Sequence, residues 1–504
     1  MHPMDQLGTY SNQFNASAWM IALRLAVIAF VAWRLAGPIE SFFWKRQLPE
    51  KANRTGIVIF IAILAFLVLF SAGALRHLTF HSKAWDLAIF DQVVWNLANG
   101  NGWECSVRGV IDLRGDHFSP ILLIFVPFYK IAPHVFWLLG FQAAALIGAG
   151  LILWAVYRKE IGERVALMFF IAYCLFPPIH WLACADFHPI AIAPFFVAIA
   201  WWGRKRDNIT AFIAGIIGMT LCGEEAFIVA GWWGLWEFFE RSPWRRIKSE
   251  KTMTRRNVGW VGLFIMAFCW TIFIWLSLVY IPAHRAEGEG YFYVHRYAYL
   301  GDSVGEIALN FFVKPGLWLS HVFDMRSFAL LALYIVPLGF LPLTRLGISA
   351  LLIPTALYTL ISVSPEQKSI YHQYTAMWIP FLAIATVDSL HTMRYAGVSV
   401  PKSVMDDFTV LSLRRASMLV VAAVLGFLAF SPIFGLSGHP EWFTPEEWAG
   451  EAKGVVESVP PDAAISAPSA LCPHLSHRPV LLLKPETEWQ GAYEVLVLPD
   501  FPPE

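Results

Sequence analysis

Residues 76–120 read RHLTFHSKAWDLAIFDQVVWNLANGNGWECSVRGVIDLRGDHFSP and form the longest polar interruption in the first half of an otherwise apolar chain. The apolar run 56–75 leads into this stretch, and the run 134–157 follows it. The stretch contains Asp86, Asp91, Asp112, Asp116 and His117 among Trp85, Trp95 and Trp103. Carboxylates and aromatic rings beside a membrane exit are suited to a metal, a sugar or a polar lipid head. A solvated loop with ordinary caps and turns is the alternative, and both interpretations stay open at this point.

The composition of the whole chain indicates a membrane protein. Of its 504 residues, 57% are hydrophobic and only 15% are charged, whereas soluble domains are about 25% charged. Apolar windows of about twenty residues, the length that spans a bilayer, recur along the chain. The net charge of +0, without a basic stripe, gives no sign of a nucleic-acid partner. We therefore expect an all-α polytopic membrane protein.

The apolar runs predict about twelve transmembrane helices. The first run contains Arg24, so an interfacial helix is the alternative to a span there. Residues 118–132, bracketed by prolines, predict a re-entrant or interfacial helix instead of a span. The predicted segments are 18–36, 56–75, 134–157, 164–182, 188–203, 209–222, 226–239, 258–281, 325–342, 346–363, 374–391 and 416–434.

Positive charge predicts which loops are cytoplasmic, because cytoplasmic loops carry an excess of Lys and Arg. One alternating set of loops holds 22 of the 37 Lys and Arg, and the opposite set holds 12. We therefore expect the first set to be cytoplasmic and the large loop 76–133 to be extracytoplasmic. The cytoplasmic set is 37–55, 158–164, 204–207, 241–256, 343–345 and 392–415.

Every unusual polar cluster then lies on the extracytoplasmic side. Ionisable groups near a bilayer are costly and are retained mainly where they work or pair. Each cluster has an ordinary alternative: a charged turn for Glu224 and Glu225, and a structural hydrogen bond for His188 and His372. Their convergence on one face favours a functional site. The clusters are WDLAIFDQ (85–92), RGDHFSP (114–120), ADFHP (185–189), GEEAF (223–227) and EQKSIYHQY (366–374).

Asp86 is the strongest catalytic candidate, because it lies shortly beyond a membrane exit, where a base can meet a substrate at the bilayer surface. Asp91 follows five positions later. On a helix the two are about 140° apart, so both do not point at one target. Asp91 is accordingly a candidate for capping or structure as well as for substrate binding. As an exposed loop carboxylate, Asp86 is expected to have a pKa near 4.

Two further extracytoplasmic regions are expected. The loop 283–324 includes GEGYFYVHRYAYLGD (288–302) and either covers a lipid or sugar groove or supplies an interfacial aromatic belt, which we favour for most of its rings. The tail 435–504 is expected to form a small α/β module on the membrane domain. In it, TPEE (444–447) predicts a capping box and a helix to about Ser458. The chain then divides into an N-terminal helix with a cytoplasmic linker (1–55), a transmembrane domain (56–434) and this module.

Five strings, taken in order, resemble a bacterial and archaeal family of predicted membrane proteins, domain of unknown function 2079. The resemblance covers about residues 80–390 and continues in the tail at ISAPSALCPHLSHRPV (465–480). The chain has Trp85 where the family has Phe, and Gly223 where the family has Lys, so no phosphate-binding role carries over to the second position. The strings are WDLAIFDQVVWNLANG (85–100), GDHFSPILLIFVPFYKIAP (115–133), DFHPIAIAPFF (186–196), GEEAFIVAGWWGLW (223–236) and YHQYTAMWIPF (371–381).

That family resembles the GT-C superfamily of integral membrane glycosyltransferases, which take sugars from polyprenyl-phosphate donors and carry an acidic residue in the first large outer loop. The matching position here is Asp86, with Asp91 second. The resemblance implies an inverting transfer of a sugar from a polyprenyl-phosphate-linked donor to an extracytoplasmic acceptor by a multi-pass plasma-membrane protein. Its partners would be that donor and the membrane lipids. A fold-level analogy of this kind does not establish the activity by itself.

The predicted roles follow from this interpretation. Asp86 is expected to deprotonate the acceptor hydroxyl, and Arg108, Arg114, Arg285 or Arg296 to hold the donor phosphate. The cofactor is left open between none and a divalent metal, Mg or Mn, whose ligands would be Asp86, His117, His188 and Glu224. The substrate-binding set is Asp91, Asp116, His117, Asp186, His188, Glu224, Glu225 and His372.

Two other functions stay open. A lipid or solute transporter, or a flippase, would use the same acidic cluster for coupling ions and predicts inverted internal repeats, of which the sequence gives no sign. A non-catalytic membrane scaffold predicts that the acidic residues do not converge in space.

Overall fold

Helices make up most of the computed structural model, which describes residues 3–45, 54–107, 109, 111–241, 252–285, 290–391, 402–483 and 494–495. Up to Arg241 the helices are α1 Pro3–Lys45, α2 Arg54–Leu78, α3 Ile89–Asn99, α4 Val126–Ile131, α5 Phe136–Ile161, α6 Glu163–Cys174, α7 Pro177–Cys184, α8 Ala193–Lys205, α9 Ile209–Thr220 and α10 Glu225–Arg241. Beyond it they are α11 Thr252–Trp275, α12 Val304–Val313, α13 Pro315–Val322, α14 Met325–Ile335, α15 Leu346–Ser349, α16 Ile353–Leu360, α17 Trp378–Ser389, α18 Lys402–Phe430 and α19 Ala449–Ser458. The predicted linker 46–53, Arg108 and most of the tail beyond 483 lie outside the described residues.

Within the described residues, six helical stretches are long and apolar enough to cross a bilayer. Two bent pairs, α6 with α7 (41°) and α13 with Met325–Leu338 (53°), raise the number to eight. The expected number of twelve is therefore not confirmed. Helices α8, α9 and α17 have 13, 12 and 12 residues, too few to cross about 30 Å at 1.5 Å per residue. The six are Met20–Phe42, Arg54–Leu78, Phe136–Ile161, Gly259–His284, Leu341–Leu360 and Leu411–Phe430.

Helix α17 is the centre of the helical core. Every one of its twelve residues is buried, as expected for a helix that is apolar on all sides. Helix α1, whose span contains Arg24, packs against α18. The Arg24 guanidinium donates to the Ala429 carbonyl (3.3 Å) and the Ser437 hydroxyl (3.2 Å), so this half-buried cation has acceptors inside the protein.

The loops separate into two polar ends. At one end, which we call the Arg204 end, Arg241 bonds to Asp207 (3.2 Å), and Lys205 (2.9 Å) and His391 (3.3 Å) both contact Glu160. These contacts join three of the loops that the charge count groups together and the end of the segment 374–391. The clusters of the loop 76–133, the ADFHP string and the GEEAF string meet at the opposite end, the Asp86 end.

The tail packs on the loop 76–133. Besides α19 it contains β3 Ile465–Ala467, β4 Leu481–Leu483 and β5 Glu494–Val495, in a parallel sheet of order β4-β3-β5, whereas β1 Glu104–Cys105 and β2 Ile111–Asp112 pair antiparallel in the loop. The Leu483 N–H donates to the Val107 carbonyl (3.0 Å), and the rings of His77 and His474 stack at 4.1 Å. The tail therefore covers the segment that carries Asp86.

The predicted capping box in the tail is wrong, although its helix does end at Ser458. Helix α19 begins only at Ala449. The Thr444 hydroxyl donates backwards to the Glu441 carbonyl (3.3 Å), and Glu446 pairs with His81 (3.4 Å). The Thr444 contact takes the hydroxyl that the box requires.

Candidate active site

Asp86 lies on a single π-helical turn, Ala84–Ala88, inserted between α2 and α3. Such turns are frequent at functional sites. The Lys83 N–H donates to Asp186 Oδ2 (2.9 Å), and the Ala84 N–H donates to Ser469 Oγ (3.2 Å). The turn is thus held by the ADFHP loop on one side and by the tail on the other.

The surroundings of Asp86 raise the pKa of its carboxyl to about 7. Burial is the largest cause and the negative charge of Asp186 the second, whereas His117 and Arg76 act in the opposite direction. The expectation of an ordinary exposed carboxylate with a pKa near 4 is therefore wrong. Protein atoms surround the group, although it remains partly exposed. It titrates near neutral pH.

Asp186 is fixed beside Asp86 by an arginine and by its own backbone. Arg76 Nη1 lies 3.0 Å from Asp186 Oδ1. The φ angle of Asp186 is 62°, a left-handed value that few residues other than glycine adopt. Gln142 of α5 holds this loop, because its Nε2 donates to the Asp186 carbonyl (2.8 Å) and its Oε1 accepts the His188 N–H (3.1 Å). The loop conformation is thus determined by tertiary contacts.

His117 and Glu224 form an ion pair that joins the RGDHFSP and GEEAF strings. His117 Nδ1 lies 3.5 Å from Glu224 Oε1, and the Phe118 N–H donates to Glu224 Oε2 (3.1 Å). Burial lowers the pKa of His117, but Asp116 and Glu224 outweigh it and raise the value to about 9. Burial raises the pKa of Glu224, but His117 outweighs it, so the net shift is downward. At neutral pH the pair is ionised.

His188, which is uncharged at neutral pH, and Glu225 complete the cluster. The His188 ring is perpendicular to the His117 ring, with their centroids 5.5 Å apart. Burial, and then the charges of His117 and Arg296, hold the pKa of His188 well below its usual value. Its buried Nδ1 has no hydrogen-bond partner among the described residues. Burial and the charge of Glu224 raise the pKa of Glu225.

Three of the four arginines considered for a donor phosphate lie within the described residues, and two of them are engaged elsewhere. Arg114 Nε donates to Asp112 Oδ1 (2.9 Å) and Oδ2 (3.0 Å). Arg285 Nη1 donates to the Gly115 carbonyl (3.1 Å). Both therefore stabilise the loop itself.

Arg296 differs, because no described carboxylate forms an ion pair with it. Its Nη2 donates to the Tyr374 hydroxyl (2.7 Å), and its guanidinium lies over the Tyr293 ring at 4.5 Å. Its charge lowers the pKa values of His188 and Glu225, so it lies close to both. Arg296 is thus a cation at the Asp86 end that has only neutral hydrogen-bond partners among the residues described.

Asp91 lies apart from this cluster, as its helical spacing from Asp86 predicts. The carboxylate accepts hydrogen bonds from the hydroxyls of Tyr129 and Ser476, and His477 Nε2 lies 3.1 Å away. Burial raises the pKa of Asp91, but His477, Ser476 and Tyr129 outweigh it and lower the net value. Asp91 therefore joins the tail to α3.

Of the predicted substrate-binding residues, the structure brings together Asp116, His117, Asp186, His188, Glu224 and Glu225 around Asp86. His372 lies at the border of this group. The charge of Arg76 reaches His372 and lowers its pKa, after the larger effect of burial. The described residues contain no group of three or more His, Cys, Asp or Glu side chains that could hold a metal ion. Both ring nitrogens of His117 already have partners, Glu224 and the Tyr293 hydroxyl (2.7 Å), so His117 has no free ligand atom.

The family model described as "Predicted membrane protein (DUF2079)" matches residues 76–500. The chain belongs to this family. The match includes the loop that carries Asp86, the other clusters of the Asp86 end and the tail that covers them. No curated protein matches the chain.

Solved structures show the fold of this DUF2079 protein. The apo crystal structure of ArnT from Cupriavidus metallidurans has a TM-score of 0.51 at 14% identity, over 85% of this chain and 86% of ArnT. ArnT bound to undecaprenyl phosphate gives 0.47 at 14% identity, over 86% of each chain. The apo oligosaccharyltransferase of Archaeoglobus fulgidus gives 0.40 at 10% identity, over 87% of this chain and 65% of that one. The likeness to apo ArnT shows that this chain shares the fold of ArnT and, at this identity, nothing more.

Sequence reasoning missed several residues of the DUF2079 site. Arg76 had a signal, because it closes an apolar run on the side where positive charge is scarce. Tyr291 and Tyr293 fell in the loop whose rings we mostly assigned to an interfacial belt, an assignment that is wrong for both. The Tyr291 hydroxyl donates to Glu224 Oε1 (3.2 Å), and Tyr293 bonds to His117. Gln142 lies inside an apolar helix, where a buried amide signals a polar partner.

Proposed function

We propose that this protein is an inverting membrane glycosyltransferase of the GT-C type. It transfers a sugar from a polyprenyl-phosphate-linked donor to an acceptor hydroxyl at the Asp86 end. This end, with the tail, faces the extracytoplasmic side, in keeping with the 22 Lys and Arg of the opposite loops.

The pKa of Asp86, about 7, is the observation that carries the proposal. A general base works best when its pKa lies near the operating pH, since it is then both ionised and basic enough to take a proton. Asp186 and burial supply that shift, and the π-helical turn presents the carboxylate beside His117. Unpaired, shifted carboxyls of this kind concentrate at functional sites.

The reaction needs a base on one face of the sugar and an anion site on the other. The acceptor oxygen forms a bond to the anomeric carbon and gives its proton to Asp86. The bond from that carbon to the phosphate oxygen breaks, and the polyprenyl phosphate leaves with the electron pair. Arg296, with its neutral tyrosine partners, is our choice to hold that phosphate, because a guanidinium matches phosphate geometry.

The uncharged groups suit a sugar substrate. The unpartnered Nδ1 of His188 and the hydroxyls of Tyr293 and Tyr374 can exchange hydrogen bonds with sugar or acceptor hydroxyls. The fold supports the same class of reaction by analogy, and ArnT itself has been solved with undecaprenyl phosphate. No metal is required for this scheme.

The test compares glycans of the native cell after deletion of the gene and complementation. Asp86→Asn keeps the shape of the side chain but takes no proton, and we expect the glycan product to fall by about 10² to 10⁴. The matched control is Asp112→Asn, in the same loop but bound to Arg114, which should restore the product. Mass spectrometry measures both variants at equal membrane abundance. Near-normal product with Asp86→Asn would contradict the proposed base and favour a transporter or scaffold.

A further inference from the structure

A polar pocket of about 360 Å³ lies at the Arg204 end, away from Asp86. Its walls include the cations Arg204, Lys205 and Arg345, the carboxylates Glu240 and Asp388, and the indoles Trp201 and Trp236. A cavity of this size accommodates a small polar group. None of the residues that bind the proposed sugar donor contributes to it.

Arg204 is fixed in the pocket wall before any ligand arrives. Its Nε donates to Glu237 Oε1 (2.5 Å), and its guanidinium lies 4.9 Å from the ring of Trp201 and 4.6 Å from that of Trp236. No described protein acceptor bonds its two Nη groups. The pair of N–H donors that suits a phosphate is therefore unoccupied and already oriented.

Arg345 repeats this arrangement on the opposite wall. Its Nε (2.6 Å) and Nη2 donate to Asp388 Oδ2, and Asp388 is anchored by the Tyr157 hydroxyl (2.8 Å). Nη1 of Arg345 has no bond to a described residue. Both arginines thus use part of their guanidinium for a carboxylate that positions them, and the rest lines the pocket.

The rim of the pocket is apolar and lies in a membrane-spanning stretch. Leu346, which lines the pocket, is 69% exposed and belongs to the candidate span Leu341–Leu360. The stretch is held in place, because Trp236 Nε1 donates to the Gly347 carbonyl (2.7 Å). The pocket therefore joins phosphate-type donors to an exposed apolar residue of a candidate membrane span.

From this combination we propose that the pocket binds the phosphate of a membrane phospholipid headgroup. The Nη groups of Arg204 and Arg345 take the phosphate oxygens, Lys205 adds a third cation, and the acyl chains lie against Leu346. The bound lipid stabilises the Arg204 end and takes no part in the sugar transfer.

The experiment measures thermal unfolding of the purified full-length protein in detergent as a ligand is titrated. The probes are dihexanoyl phosphatidylglycerol, dihexanoylglycerol, which lacks the phosphate, and inorganic phosphate. We expect only the first to raise the unfolding midpoint in a saturable way. An equal rise with inorganic phosphate would overturn the lipid assignment, and a rise with dihexanoylglycerol would overturn the role of the phosphate.

Two variants locate the effect. Arg204→Gln leaves Glu237 paired with Arg241 (2.8 Å) and should weaken phosphatidylglycerol binding about tenfold or more, the equivalent of losing one charge-assisted hydrogen bond. Gly347→Trp adds an indole at the lining of the pocket without breaking an ion pair, because a Cβ at Gly347 meets nothing within 4 Å. The control Arg158→Gln removes an arginine that also lies over an indole at this end but does not line the pocket. Unchanged binding in both pocket variants, or equal loss in the control, would refute the site.

Discussion

The two polar ends of the molecule differ in how their buried carboxylates are paired with cations. At the Arg204 end, Glu237 lies between Arg204 and Arg241, and Asp388 between Tyr157 and Arg345. At the Asp86 end, neither Asp86 nor Glu225 is bonded to a described Arg or Lys, and the pKa of each is raised. The two acids at the first end are paired with arginines, whereas these two acids at the other end have pKa values of about 7.

This difference indicates that the paired carboxylates stabilise the fold, whereas the carboxylates with raised pKa values serve the reaction. A fully paired ion is costly to break, since removing one partner leaves a buried charge without compensation. A carboxylate with a raised pKa opposes folding when it ionises, and it is retained where its proton affinity is useful. The comparison therefore predicts opposite effects on stability when a carboxylate is neutralised at either end.

Glu237→Gln should give the largest effect. It leaves Arg204 and Arg241 without their shared anion and should cost about 3 to 5 kcal/mol of unfolding free energy. Because all six cysteines are buried, a thiol-reactive dye reports the unfolding midpoint. The matched change at the other end, Glu225→Gln, should leave the midpoint unchanged or raised. Similar losses in both variants would remove the contrast between the ends.

Asp86→Asn should stabilise the protein above neutral pH while it abolishes transfer. The folded pKa of about 7 exceeds the ordinary Asp value of 3.8, so ionisation of Asp86 opposes folding, and stability falls as the pH rises from about 4 to 7. The advantage of Asn should therefore grow over that interval, reach a few kcal/mol and stay constant above it. Unfolding midpoints at pH 4, 6 and 8 measure it. A variant less stable than wild type at pH 8 would contradict the raised pKa.

Asp91→Asn tests whether the Asp86 end also contains a purely structural acid. Asp91 accepts bonds from Tyr129 and Ser476 and pairs with His477, so the loss should be about 1 to 3 kcal/mol. Turnover per folded molecule should change little. Limited proteolysis should cut the tail sooner than in wild type. A large fall in turnover without faster cleavage would place Asp91 in the reaction instead.

Asp186→Asn should give the smallest effect, a shift in the pH dependence of transfer. Below pH 7 the rate of the wild type should fall as Asp86 takes up a proton. Without the charge of Asp186, and with Arg76 left unpaired beside it, the pKa of Asp86 should decrease, and the midpoint should move to lower pH. Asn tolerates the left-handed backbone at this position. The pH profile of transfer rate over KM measures the shift, and an unchanged midpoint would separate Asp186 from Asp86.

The sequence alone predicted properties that are sums over residues, such as the distribution of positive charge among the loops. The charge count grouped the loops of the Arg204 end, and contacts such as Lys205 with Glu160 confirm that grouping. The number of spans was overestimated, because a helix such as α17, buried along its whole length, need not have the length of a span. The bends at α6–α7 and α13–α14 add to the difficulty, because each bent pair is either one broken span or a re-entrant loop.

The sequence predicted which residues form the candidate site better than it predicted their pKa values and hydrogen-bond partners. Asp86 stands out by its position, but its pKa depends on Asp186, which lies 100 residues away in the sequence. The choice of Arg296 over Arg114 required the contact between Arg114 and Asp112, and the capping box failed because the Thr444 hydroxyl bonds to the Glu441 carbonyl. The sequence alone does not show which of several available partners each side chain takes.

The bonds from the π-helical turn and α3 to the tail can form only late in biosynthesis. Ala84 bonds to Ser469 and Asp91 to Ser476, and each partner is synthesised 385 residues later. At ribosomal speeds of about 5 to 20 residues per second, the turn spends roughly 20 to 80 s without its last partner. During that interval the nascent chain can insert its helices, but the Asp86 segment lacks its final restraint. A chain truncated before Ser469 would therefore insert into the membrane without the hydrogen bond from Ala84 that holds the π-helical turn.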